Sequence, residues 1–138
     1  MRGMICYTSG AVLYALTGLL HALAHFAPPP TEASLVAAQK AMTEAVQEMA
    51  GLSFSFDDIL HCLSWFMTVF SLLVGTLAFA LRKACRADAR LLRTTSMLMA
   101  LGAAVLAGLG LRYGIFPPIL FYSLAAIAFA AAALRARA

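Results

Sequence analysis

Four runs of about twenty apolar residues, each nearly free of charge, set the strongest limit on what this chain can fold into. They fall at approximately 4–27, 57–81, 94–112 and 115–134. A helix rises about 1.5 Å per residue, so each run matches a hydrocarbon core about 30 Å thick. Lipid offers no partner to a backbone N–H or C=O, and a helix satisfies its own. Composition agrees: 63% of residues are hydrophobic and 12% charged, against about half and a quarter in soluble domains. The expected fold is all-α, an integral membrane bundle of four transmembrane helices forming one domain over 1–138.

The segment 31–50 reads differently. Leu35, Ala38, Met42, Ala45, Val46 and Met49 recur at helical spacing, and Glu32, Lys40, Glu44, Gln47 and Glu48 occupy the other side. This pattern predicts an additional amphipathic helix between spans 1 and 2, too polar to cross the membrane and placed to lie on its surface or cap the bundle. Pro28-Pro29-Pro30 ends the first span. Residues 51–56 form a connector, with Ser55 or Asp57 as the cap of the second span. Pro117 and Pro118 sit where a helix tolerates them, in its first turn.

Charge sets the threading. Arg82, Lys83, Arg86, Arg90 and Arg93 crowd a basic loop between spans 2 and 3, opposed only by Asp88, and Arg135 and Arg137 follow the fourth span. Basic residues stay in the cytoplasm, which predicts a multi-pass protein of the cell inner membrane with both termini cytoplasmic. The formal charge of +4 and pI near 9.3 follow from this arrangement, and nucleic acid is not an expected partner. Ala22-Leu23-Ala24 mimics a signal cleavage site, but Arg2 alone makes a poor n-region, so the first span reads as a retained helix. Cys6, Cys62 and Cys85 have no CxxC spacing and read as small apolar residues in or near the bundle. Ala100, Ala104 and Gly108 on span 3, with Gly18 and Ala22 on span 1, predict close helix packing.

One constellation carries chemistry. His21 and His25 stand one turn apart on span 1, in a stripe with Tyr7, Tyr14 and Gly18. Span 2 opens with Asp57 and Asp58, places His61 a turn later, and continues its own stripe through Ser64, Thr68, Ser71 and Gly75. Ionisable groups in a span need partners, so the two stripes are expected to face each other. Threading then brings His21, His25, Asp57, Asp58 and His61 to one depth at the non-cytoplasmic face, with Arg112 and Tyr122 nearby and the amphipathic helix as a lid.

Imidazoles and carboxylates suit Zn²⁺, Fe²⁺ or Cu²⁺, and an Asp beside a His can instead orient it. HxxxH alone is not a zincin motif, since Ala22, Leu23 and Ala24 supply no glutamate. The bland alternative is a structural polar network, in which Asp57 and Asp58 cap a helix and Arg112 pairs with one of them.

Gly18-Leu19-Leu20-His21 and the run Trp65-Phe66-Met67-Thr68-Val69-Phe70-Ser71-Leu72-Leu73-Val74-Gly75 resemble small four-helix bacterial inner-membrane proteins. Their first helix carries a glycine three positions before a histidine, and an amphipathic connector precedes a glycine-containing second helix. The resemblance implies a four-helix bundle and no particular activity.

Four functions stay open on the residues alone, and with them whether the chain is an enzyme. The first is a metal-handling protein or small metal-dependent membrane enzyme using His21, His25, Asp57, Asp58 and His61. The second is a haem-binding electron carrier, with His21 or His25 and His61 as axial ligands. The third is an accessory or assembly subunit, with a protein partner or a second copy. The fourth is an acid/base enzyme acting on a lipid-like substrate. No lysine lies within a span to hold a Schiff base, and neither a phosphate-binding glycine loop nor GxSxG occurs.

Overall fold

The computed structural model describes residues 2–136, so Arg137 of the expected basic tail lies outside the described residues. The order is α1 (Arg2–Ala24), α2 (Ala33–Glu44), β1 (Val46–Met49), β2 (Leu52–Ser55), α3 (Phe56–Ala87), α4 (Ala89–Tyr113) and α5 (Phe116–Arg135). The four helices α1, α3, α4 and α5 are long and apolar enough to cross a membrane.

Local chemistry sets the helix ends. Asp58 N–H donates to Ser55 Oγ and Ser55 N–H donates back to the Asp58 carboxylate, both at 3.0 Å, a capping box that starts α3. Asp88 accepts from the N–H groups of Arg90 and Leu91 and so caps α4. That helix closes on Gly114, whose φ of 68° is the left-handed value favouring glycine. Pro117 and Pro118 fall in the first turn of α5, as expected.

Two expectations of secondary structure need correction. The amphipathic helix expected over 31–50 stops at Glu44, and 46–55 forms a hairpin with Val46 opposite Ser55 and Met49 opposite Leu52. Ala50 and Gly51 both take positive φ, 54° and 79°, the signature of the two-residue turn that matches strand twist. The fold is therefore helical with one small hairpin, and Val46 belongs to a strand. No residue of α2 is buried, and it packs lightly on α3 and β2. The second correction concerns the basic link at 82–93, which is no loop. Arginine, lysine and alanine favour helix, so α3 and α4 run through this segment and break only at Asp88.

The bundle closes in the order α3, α1, α5, α4. α1 packs against both α3 and α5, and α5 against α4, whereas α3 and α4 barely touch although a single residue joins them. The core between them is Tyr7, Ala11, Tyr14, Ala103, Tyr122, Ala125 and Phe129 with their neighbours. Tyr7 meets Phe129 edge-on at 5.6 Å, and Tyr14 lies 5.3 Å from Tyr122 between ring centres. On α4 the buried small-residue face is Ser96, Ala103, Ala107 and Gly110. The expected Ala100–Ala104–Gly108 stripe is offset from it: Ala100 touches the core, Ala104 is exposed, and a Cβ on Gly108 would meet nothing within 4 Å.

The tightest approach joins α1 to α3. A Cβ on Gly75 would come within 2.7 Å of the Ala15 backbone nitrogen, and one on Gly18 within 2.9 Å of the Leu72 nitrogen. Because the obstacles are backbone atoms, only a shift of one helix relieves them. Gly75→Ala is expected to destabilise the protein by about 1–3 kcal/mol. Gly108→Ala, with open space at that position, is expected to be neutral or stabilising by up to about 1 kcal/mol. Thermal unfolding of both variants in one detergent checks the pair.

Candidate functional site

The α1–α3 contact turns the two polar stripes toward each other. Deepest in the pair, Ser71 is 1% and Tyr122 2% exposed, and their hydroxyls bond at 2.6 Å. Thr68, also buried, returns its hydroxyl to the Ser64 carbonyl at 3.2 Å. One turn further toward the start of α3, Ser64 meets the histidines of α1. Its Oγ lies 2.9 Å from His21 Nε2 and 3.1 Å from His25 Nε2.

A hydroxyl has one proton and two lone pairs. Both contacts are satisfied when Ser64 donates to one imidazole and accepts an Nε2–H from the other, an arrangement in which the two rings hold opposite tautomers. The ring of His25 also stacks on Trp65, with centres 4.2 Å apart and planes inclined by 7°. Phe26 meets the edge of that indole at 6.4 Å. This packing fixes the His25 ring and leaves its Nε2 edge toward the serine.

The remaining expected site residues divide. His61 lies 6.4 Å from His25 between ring centres. Its Nδ1 is 3.1 Å from the Asp57 carbonyl and 3.6 Å from the Asp57 carboxylate. The His61 side chain is 60% exposed and that of Asp57 23%, which puts this pair at the rim. His25, Asp57, Leu60, His61 and Ser64 line an open cavity of about 200 Å³. Asp58 is turned away, its carboxylate held by the Ser55 N–H and hydroxyl. Arg112 lies over the ring of its neighbour Tyr113 at 5.9 Å and forms no ion pair with either aspartate.

Among the described residues, no three His, Cys, Asp or Glu side chains stand together as a ready-made metal site. The cause is visible in the pairing: two imidazoles address Ser64, the third addresses Asp57, and Asp58 serves the helix cap. Sequence reading anticipated the histidines and the facing stripes. It missed Ser64 as the shared partner and Trp65 as the platform under His25, although Ser64 one turn after His61 on the same stripe was the available signal.

No family model matches this chain, and comparison with curated proteins and with solved structures yields no match.

Removing the shared hydroxyl tests this geometry. Ser64→Ala is expected to cost about 1 kcal/mol, in the range of hydrogen bonds between membrane helices, and Ser64→Thr to restore most of it. Imidazole nitrogen NMR is the decisive readout. With Ser64 donating to one ring and accepting from the other, the wild type is expected to show one Nε2–H and one Nδ1–H tautomer among His21 and His25, and the alanine variant to lose that fixed pairing.

Proposed function

We propose that this is a multi-pass protein of the bacterial inner membrane, with both termini cytoplasmic. Its His21–Ser64–His25 group then works as an acid/base site at the non-cytoplasmic face, acting on a lipid-like substrate. The threading rests on the charge distribution: five of the six acidic residues lie in 32–58 and most of the basic ones in 82–137.

The observation that carries the chemical reading is the convergence of two Nε2 atoms on one hydroxyl. With Ser64 donating to one ring and accepting from the other, one ring offers a free Nδ1 to accept a proton and the other an Nδ1–H to give one. A proton taken up at the first, relayed through the Ser64 hydroxyl and released from the second leaves the two tautomers exchanged. An arrangement that removes a proton at one point and returns one at another suits a proton shift within a molecule. It is less suited to hydrolysis, for which the group supplies no array of N–H donors toward an oxyanion. Leu60 in the cavity wall and Trp65 under His25 give the site apolar flanks, which favour an amphiphile over a water-soluble substrate.

A metal ion is the second reading, and a specific observation favours it. The three rings stand in series, with centres 5.7 and 6.4 Å apart. Two imidazoles on one tetrahedral ion hold their centres about 5 Å apart, given Zn–N bonds of about 2 Å. Modest rotation of His21, His25 and His61 toward the cavity, with Asp57 as the oxygen ligand, would build a shell for Zn²⁺, Fe²⁺ or Cu²⁺. Asp58 contributes nothing to it while it caps α3. Haem fits less well, because the α1 and α3 backbones are in contact below the site and the cavity holds only about 200 Å³.

Two measurements separate the readings. Lipids extracted from cells grown in D₂O, with wild type or Ser64→Ala expressed, are compared by mass spectrometry. The acid/base reading expects an additional deuterated species with the wild type and at least about a hundredfold less with the variant, the usual scale of general acid/base catalysis. Identical lipid profiles sink it. Elemental analysis of detergent-purified protein tests the other. One metal per chain that survives in Ser64→Ala and disappears in the His21/His25/His61 triple alanine variant establishes the metal site. Absence of both signals leaves the group a structural network and the chain an accessory subunit.

A further inference from the structure

The opposite end of the bundle holds a second cavity, and the histidine site does not use it. About 890 Å³ opens where α3 and α4 diverge, in the size range of pockets that take one organic ligand. α1 supplies its floor, including Ile5 and Val12, and Leu92 of α4 contributes another apolar wall. Ile5 is 66% and Val12 47% exposed, so the cavity reaches the flank of the bundle as well as its end. From Met4 to Val12, both in the lining, the floor runs about 12 Å along the helix axis.

Three arginines stand at this cavity: Arg82 and Arg86 on α3, one turn apart, and Arg135 at the end of α5. Among the described residues, none of them forms a salt bridge; the two pairs found are Lys40–Glu44 and His61–Asp57. Asp88, the nearest acid in sequence, is occupied with the α4 cap. Arg135 is held in place by donating through Nη1 to Cys6 Sγ at 2.9 Å. Topology alone accounts for basic residues at a cytoplasmic helix end. It does not account for three that converge on one cavity while Lys83, Arg90 and Arg93 of the same segment stay outside it.

We infer that this cavity binds one anionic phospholipid of the surrounding bilayer, its phosphate on Arg82, Arg86 and Arg135 and one acyl chain along Ile5, Val12 and Leu92. Guanidinium groups present planar, paired donors that match phosphate oxygens. A basic end above an apolar wall, open to the flank, matches an amphiphile that enters from the membrane without crossing water. The inference rests on the membrane placement proposed above and not on the chemistry of the histidine site.

The test is native mass spectrometry of the full chain in neutral detergent, titrated with phosphatidylglycerol or with phosphatidylcholine of the same acyl chains. One phosphatidylglycerol per chain is expected to persist at activation energies that strip phosphatidylcholine. Arg82→Gln/Arg86→Gln/Arg135→Gln is expected to lower its apparent affinity about a hundredfold, given the contribution of each basic residue toward anionic lipid. Val12→Trp, which fills the acyl wall and leaves the arginines intact, is expected to lower it as well, and carries the test if the triple variant does not fold. Lys83→Gln/Arg90→Gln/Arg93→Gln is the control and is expected to bind as the wild type does. Equal retention of both lipids, or equal loss in the control, overturns the proposal in favour of a diffuse basic surface. A dimer that Val12→Trp dissociates overturns it in favour of a second copy of the chain. A chain that stays monodisperse without detergent overturns the membrane placement itself, separately from the lipid result.

Discussion

The contact of α1 with α3 is the constraint on which the remaining architecture hangs. Gly18 and Gly75 remove the two side chains that would hold these helices apart, and each glycine meets the backbone of the opposite helix. In lipid, apolar side chains gain little by leaving their solvent for one another, so association depends on close packing and on hydrogen bonds between helices. The glycines provide the first and bring the second within reach. Hydroxyls and imidazoles reach only a few ångströms from their own helices. Ser64 meets His21 and His25 only because the helix axes run close about one to three turns deeper in the pair.

That closeness orders the polar groups by depth. The most buried, Ser71 and Tyr122, bond each other across α3 and α5, and Thr68 folds back on its own helix. Neutral hydroxyls occupy the interior, where an ion would have no compensation. The imidazoles come next, at half-buried positions, and the carboxylate of Asp57 with His61 lies at the rim. The series runs from hydroxyls to the serine-bound imidazoles to the Asp57–His61 pair as water becomes available. Tyr7 and Ser96 depart from it, since neither hydroxyl has a hydrogen-bond partner although both are fully buried.

How much of this was legible in the sequence depended on whether the signal was periodic or local. The four spans follow from run length and hydropathy, and the facing stripes from a 3.5-residue recurrence of small and polar residues. Both are properties of many residues at once. The hairpin at 46–55 was not legible because Ala50 takes a positive φ that alanine rarely adopts. The apolar positions of an amphipathic helix continued through Val46 and Met49 and masked the turn. The α3–α4 junction was misread for the opposite reason: charge density suggested a loop, yet arginine and lysine are good helix formers and a single capping aspartate separates the helices. At the site, residue type identified the histidines, but partner choice was not encoded there. Asp57 and Asp58 are adjacent and identical in chemistry, and only the Ser55 capping box divides them, holding one on the backbone and leaving the other for His61.

The length of α3 connects the two ends of the molecule. Its 32 residues make a rod of about 48 Å, well beyond a hydrocarbon core of about 30 Å. If the apolar stretch from Cys62 to Leu81 fills that core, the first two turns, with Asp57 and His61, emerge on one side and the turns bearing Arg82 and Arg86 emerge on the other. The same helix then presents imidazole and carboxylate at one boundary and guanidinium at the other, each where the dielectric changes and a charged group can meet both water and an apolar wall. α4 starts only one residue later yet leans away from α3 and toward α5. The space it vacates is the arginine-lined cavity. The one-residue junction at Asp88, held by its cap, fixes the point from which the two helices part, as the glycines fix where α1 and α3 meet.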